Sequence, residues 1–127
     1  MNDFVVWLDS KSAHVFAFKV SGVVKSVVKK VEKEHHGENP KDQHHDEEAL
    51  HYYKNLALEL KGADKLLLIG PGLAKTHFQS HLQSHDMHTL ASKVIGLENF
   101  ESFEHKSEKQ LLAAARKFYK TYNLFNA

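Results

Sequence analysis

The sequence contains no cysteine, only two prolines and a single arginine, Arg116. Without cysteine there is no disulfide framework, no thiolate metal site and no thiol nucleophile. A cysteine-free chain fits a cytoplasmic location, which is the location expected here. A lone arginine weakens any case for bidentate reading of phosphate or guanine. No apolar run approaches the roughly 18 residues that a membrane span requires, so no membrane partner is expected. Met1-Asn2-Asp3-Phe4 has no basic start and no small-residue cleavage site, and no signal peptide is expected. There is no internal repeat and no Pro/Gly/Ser-rich tract. The 127 residues, 42% hydrophobic and 26% charged, predict one globular domain over 1–127.

Charge is unevenly placed. Residues 1–33 carry six lysines against Asp3, Asp9 and Glu32, a net +3. Residues 34–48 carry Lys41 against six acids, a net −5. The remainder returns to +3, and the whole chain stands at +1. Histidine is abundant instead, at 11 residues.

Phe4-Val5-Val6-Trp7-Leu8 is β-branched and aromatic and predicts a strand. Asp9-Ser10-Lys11-Ser12 is turn chemistry. Residues 13–20 predict a second strand, with His14, Phe16, Phe18 and Val20 on one face. Ser21-Gly22 predicts a tight hairpin turn. In the next segment two signals compete. Val20, Val23, Val24, Val27, Val28 and Val31 recur at helical spacing, which suits a helix with Lys25, Lys29 and Lys30 outward. Valine is nevertheless most at home on a pleated surface, and the segment follows a hairpin turn. The reading adopted is a strand.

Residues 34–45 predict the longest loop, ending at Asp46 as a helix N-cap. Ala49, Leu50, Tyr53, Leu56, Ala57 and Leu60 then form an apolar helical stripe, closed by Gly62. Lys65-Leu66-Leu67-Leu68-Ile69 suits a strand buried on both faces. Gly70-Pro71-Gly72 turns into a helix over about 73–83. Val94-Ile95-Gly96-Leu97 predicts a fifth strand. Ser107-Glu108-Lys109-Gln110 reads as a capping box opening a last helix. Its expected buried side is Leu111, Leu112, Ala114, Ala115, Phe118, Tyr119 and Tyr122. The predicted fold is α/β: a single mixed sheet of about five strands in the order β-β-β-α-β-α-β-α, with helices packed on it.

This order, with a polar loop between the third strand and the first helix, resembles the middle domain of archaeal and eukaryotic class I peptide-chain release factors and of Pelota. Val31-Glu32-Lys33-Glu34-His35-His36-Gly37 resembles the start of the release-factor loop. Leu67-Leu68-Ile69-Gly70-Pro71-Gly72-Leu73-Ala74-Lys75 is similar to the strand-GPG-x-AK-helix element of bacterial single-domain relatives, of the translational machinery protein and host-attachment protein type. Glu108-Lys109-Gln110-Leu111-Leu112-Ala113-Ala114-Ala115-Arg116 resembles their closing helix. The resemblance implies a release-factor middle-domain-like fold and a ribosome- or tRNA-binding protein.

The loop departs from the release-factor pattern. Those factors carry Gly-Gly-Gln at the loop tip, where the glutamine places water on the peptidyl-tRNA ester. Here the loop reads His35-His36-Gly37-Glu38-Asn39-Pro40-Lys41-Asp42-Gln43-His44-His45, and Gln43 has no glycines before it. At 127 residues, stop-codon-reading and GTPase-binding domains are not expected. Peptide release is not expected, and Pelota is the nearer analogue. The expectation is a non-catalytic translation-associated protein of accessory, rescue or hibernation type. Lys25, Lys29, Lys30, Lys33, His35, His36, Gln43, His44 and His45 are its expected RNA or ribosome contacts.

Other readings stand beside this one. His35, His36, His44 and His45, with nearby carboxylates, could ligate a divalent metal such as zinc and serve a hydrolase or nuclease, though their spacing matches no zinc signature. His77, His81 and His85 share one helix face and are followed by His88; an exposed polar face is the plainer account. Gly70, Gly72 and Lys75 at a helix start could hold an anion, against a plain tight turn. An exposed sheet edge could pair with a partner or with a second copy in a homo-oligomer. Charging the four paired loop histidines would lift the 34–48 segment from −5 to about −1, so RNA affinity through the loop should rise as pH falls through the histidine range.

Overall fold

The computed structural model describes residues 2–32, 43–85, 88–100 and 108–125, and of residues 43–46 and 88 only the backbone. Three strands come first: β1 (Asp3–Leu8), β2 (Ser12–Lys19) and β3 (Gly22–Lys29). Then follow α1 (Gln43–Glu59), β4 (Lys65–Gly70), α2 (Ala74–Ser84), α3 (His88–Ala91), β5 (Val94–Asn99) and α4 (Glu108–Phe125). The strands form one sheet in the order β3-β2-β1-β4-β5. The β1–β2 and β2–β3 pairs are antiparallel, while β1–β4 and β4–β5 are parallel. This is the expected mixed α/β sheet. The short α3 is an addition to the expected order, and its four residues are too few to leave a periodic signal.

The turn after β1 closes on Asp9, whose Oδ1 accepts the N–H groups of Lys11 and Ser12, each at 2.9 Å. In the β2–β3 hairpin the turn is Val20-Ser21 rather than Ser21-Gly22. Lys19 pairs directly with Gly22, which opens β3 at φ +133°. The valine segment is a strand. Val23 and Val27 lie opposite Phe18 and His14, whereas Val24 and Val28 lie opposite Ala17 and Ala13. Two adjacent valine pairs four residues apart mimic a helical repeat while supplying both faces of a pleated strand.

Apolar residues alternate between two cores. Phe4, Val6, Leu8, Leu66 and Leu68 face α1 and α2 and pack with Tyr52, Leu56, Leu60, Phe78 and Leu82. Val5, Trp7, Phe16, Leu67 and Ile69 face α4 and pack with Leu111, Ala115 and Tyr119. The central strands β1 and β4 are therefore buried on both faces, which explains the unbroken run at 66–69.

Two helical stripes differ from expectation. On α1 the buried positions are Glu48, Tyr52, Leu56 and Ala57, with Leu60 buried just past its end, while Leu50 is 44% exposed. Tyr52 takes the inward place because its hydroxyl donates to the Asp9 carbonyl at 2.9 Å. On α4 only Leu111, Ala115 and Tyr119 are buried, and Ala114 is exposed. Spaced four apart, these three form the narrow line by which one helix meets a flat sheet. Gly96 permits this approach, since a Cβ there would lie 2.7 Å from the Phe118 ring.

Candidate functional site

One end of the sheet carries two of the expected contact residues, Lys29 and Lys30, and the candidate anion-binding turn. Lys30 donates its backbone N–H to the Lys11 carbonyl at 2.8 Å, so the end of β3 lies beside the β1–β2 turn. Gly70 at the end of β4 lies against Leu8 at the end of β1. A Cβ on Gly70 would fall 2.1 Å from the Leu8 carbonyl oxygen, and its φ is +146°. No side chain fits there, so glycine is required by close approach as well as by backbone angle. Lys11, Lys29, Lys30 and the Gly70-Pro71-Gly72 turn thus share one end. From it the chain leaves β3 toward residues 33–42.

Lys25, Lys29 and Lys30 do not share one face of the sheet. Lys25 Nζ donates to Glu108 Oε1 at 2.6 Å and lies over the Phe16 ring. It ties β3 to the first turn of α4. Lys29 has the same parity as Lys25, and Lys30 the opposite parity. Lys33, His35 and His36 lie outside the described residues. Gln43, His44 and His45 belong to the first turn of α1 rather than to the loop, so Asp46 is inside the helix and does not cap it. The side chains of Gln43, His44 and His45 are outside the description.

Lys75 is only 5% exposed. Its ammonium donates to the Gly70 carbonyl at 2.9 Å and to the Gly72 carbonyl at 2.7 Å. It therefore straps the turn that begins α2, with both bonds directed at the chain's own backbone. Gly72, at φ +63°, makes the bend.

The histidine face of α2 is divided. His77 and His85 are exposed, but His81 is 7% exposed. Its ring lies 4.2 Å from the His85 ring in a stack and 5.6 Å from Tyr53. Neither ring nitrogen of His81 has a hydrogen-bond partner. Burial pushes its pKa below the ordinary 6.5, and neighbouring His85 adds to the shift. Glu47, Leu50, His51 and Lys54 of α1 complete a groove of about 320 Å³ beside it. The apolar surroundings that bury His81 come from α1, and no spacing within α2 reveals them. Among the described residues no three histidine or carboxylate side chains converge to hold a metal ion. The expected ligands His35 and His36, and the side chains of His44 and His45, fall outside that search.

Comparison with solved structures gives the fold its place. The chain is similar to Pelota of Archaeoglobus fulgidus, with a TM-score of 0.62 and 13% identity over 91% of this chain. It is similar to the archaeal translation termination factor aRF1, with a TM-score of 0.56 and 15% identity over 97% of this chain. Pelota of Thermoplasma acidophilum gives a TM-score of 0.52 and 17% identity over 80% of this chain. The match spans 31%, 40% and 28% of those chains respectively, so the likeness is to one part of each. No protein-family model matches the sequence, and neither does any curated protein. The fold is release-factor- and Pelota-like. Among the described residues no helix is long and apolar enough to cross a membrane.

Proposed function

We propose that this chain is a translation-associated protein that binds the ribosome or tRNA and performs no catalysis of its own. The observation that carries this reading is the likeness of nearly the whole chain to part of Pelota and of a translation termination factor. The sequence supports the non-catalytic half, because the segment between β3 and α1 has no Gly-Gly-Gln. The contact surface is the end of the sheet bearing Lys11, Lys29 and Lys30, together with Lys33 and the histidines of the following segment. Lysine ammonium groups there meet phosphate as point charges, which positions a protein on RNA without reading sequence.

The test is co-sedimentation of the purified protein with ribosomes across a salt series, at pH 6 and pH 8. The expected result is binding that weakens steeply with salt and is stronger at pH 6, where the loop histidines carry charge. Absence of binding at low salt contradicts the reading. Equal affinity at both pH values removes the loop histidines from the contact.

A further inference from the structure

The opposite end of the sheet carries a basic pocket that the reading above does not use. The start of β1, the β2–β3 hairpin and the second half of α4 enclose about 420 Å³ there. Asp3, Phe18, Lys19, Arg116, Tyr119 and Lys120 are among its walls. Arg116 and Lys120 lie one turn apart on α4, and both are exposed. Like charges at that spacing oppose the helix unless an anion sits between them. The only acid on α4 is Glu108, which is engaged by Lys25 at 2.6 Å, far from the pocket.

The surroundings fix the cations. The Arg116 guanidinium lies 5.5 Å over the Phe18 ring, which holds its plane while leaving N–H groups for a ligand. Lys19 Nζ is anchored on Asn2 Oδ1 at 3.2 Å. Asn123, at the pocket's edge, accepts from Lys65 Nζ at 2.6 Å and brings a further ammonium close. Asp3 also lines the pocket, and its Oδ1 is shut off from solvent with no hydrogen-bond partner. Its charge cancels one of the three lining cations. The remaining excess matches a phosphate ester, which carries one or two negative charges.

We propose that this pocket binds a phosphate ester, with Arg116 and Lys120 as the clamp, Lys19 as the third cation and Phe18 as the apolar wall. The ester is either a phosphodiester of an RNA strand or a free nucleotide. The site is separate from the proposed ribosome surface, and its test uses no ribosome.

The experiment titrates the isotope-labelled protein, followed by NMR, with three probes: inorganic phosphate, adenosine monophosphate and a short single-stranded oligouridylate. All three should shift the Arg116 side chain and the backbone amides of 116–123. The double variant Arg116→Gln/Lys120→Gln changes two exposed side chains and leaves the cores intact. It should weaken oligouridylate binding about tenfold and flatten its log–log salt slope by about 1.4, for two lost phosphate contacts on a single strand. Asp3→Asn, by removing a repelling charge, should tighten binding several-fold. Lys29→Gln/Lys30→Gln at the far end should leave the monophosphate shifts unchanged. Tighter binding of the strand than of the monophosphate assigns the pocket to RNA, and the reverse assigns it to a nucleotide. Unmoved Arg116 signals with all three probes, or affinity unaffected by the double variant, overturn the proposal.

Discussion

Lys75 shows how a single charged side chain can serve the fold. Its ammonium, nearly closed off from water, satisfies two carbonyls at a turn where glycines leave no side chain to do so. Lys75→Met keeps the length of the stem and removes the donor. It should lower stability by about 1–2 kcal/mol, seen as a reduced urea midpoint with an unchanged slope. An unchanged midpoint would mean that water replaces the strap. His81 is the second residue with a measurable consequence. Its pKa is lowered in the folded chain, so the unfolded chain takes up the proton first. The stability it permits is fully present above pH 6.5 and declines as pH falls below that value toward the lowered folded pKa. Burial lowers the pKa of His14 as well and adds to the same trend. Urea midpoints at pH 5 and pH 8 should therefore differ in favour of pH 8, and His81→Phe should shrink the difference. A difference as large in the variant would assign the effect elsewhere. Neither role was legible from spacing alone. Gly70-Pro71-Gly72 announced a turn, but only the fold turns Lys75 back onto it. The i, i+4, i+8 histidines announced one helix face, but the ring contact from Tyr53 that buries the middle one comes from another helix.

At the scale of elements, patterning was most legible where burial is most complete. The run at 66–69 is apolar throughout because β4 is covered on both faces, and it read directly as a central strand. The valine segment carried contradictory signals, and side-chain chemistry outweighed periodicity. The choice between Tyr52 and Tyr53 as the inward residue is harder to read. Two adjacent tyrosines offer the same apolar ring, and the choice between them is made by the Asp9 carbonyl, which lies 43 positions away in sequence. That bond pins α1 to the β1–β2 turn. Tyr52→Phe retains the ring in the core and strands the carbonyl. It should cost about 1 kcal/mol and raise amide hydrogen exchange at residues 9–12 and along α1. A loss of global stability without faster exchange at the turn would show that the hydroxyl is not the tether. The sequence pattern caps α1 at Asp46, which starts the helix four residues later than the structure does, because an acid suits the cap and the first turn alike. The end of β3 is also an edge of the sheet, and its lysines keep that edge charged against pairing with other chains.

For the whole molecule, strand order and helix placement make a five-stranded mixed sheet with helices on both faces, of the kind seen in part of Pelota and of aRF1. This architecture was legible because element order is coarse and survives where sequence identity falls to 13%. Function is finer. It lives in the side chains that a fold presents rather than in the fold itself. One end presents Lys11, Lys29 and Lys30, and the other presents Arg116, Lys120 and Lys19. The proposed ribosome contact lies at the first end. It is tested most directly by sedimenting the native chain and a variant with Lys29, Lys30, Lys33, His35, His36, His44 and His45 changed to alanine, each with ribosomes at low and rising salt. The native chain is expected to pellet with ribosomes at low salt and to be released as salt rises, while the variant stays in the supernatant with an unaltered circular dichroism spectrum. A native chain that never pellets, or a variant that pellets equally well, would contradict it.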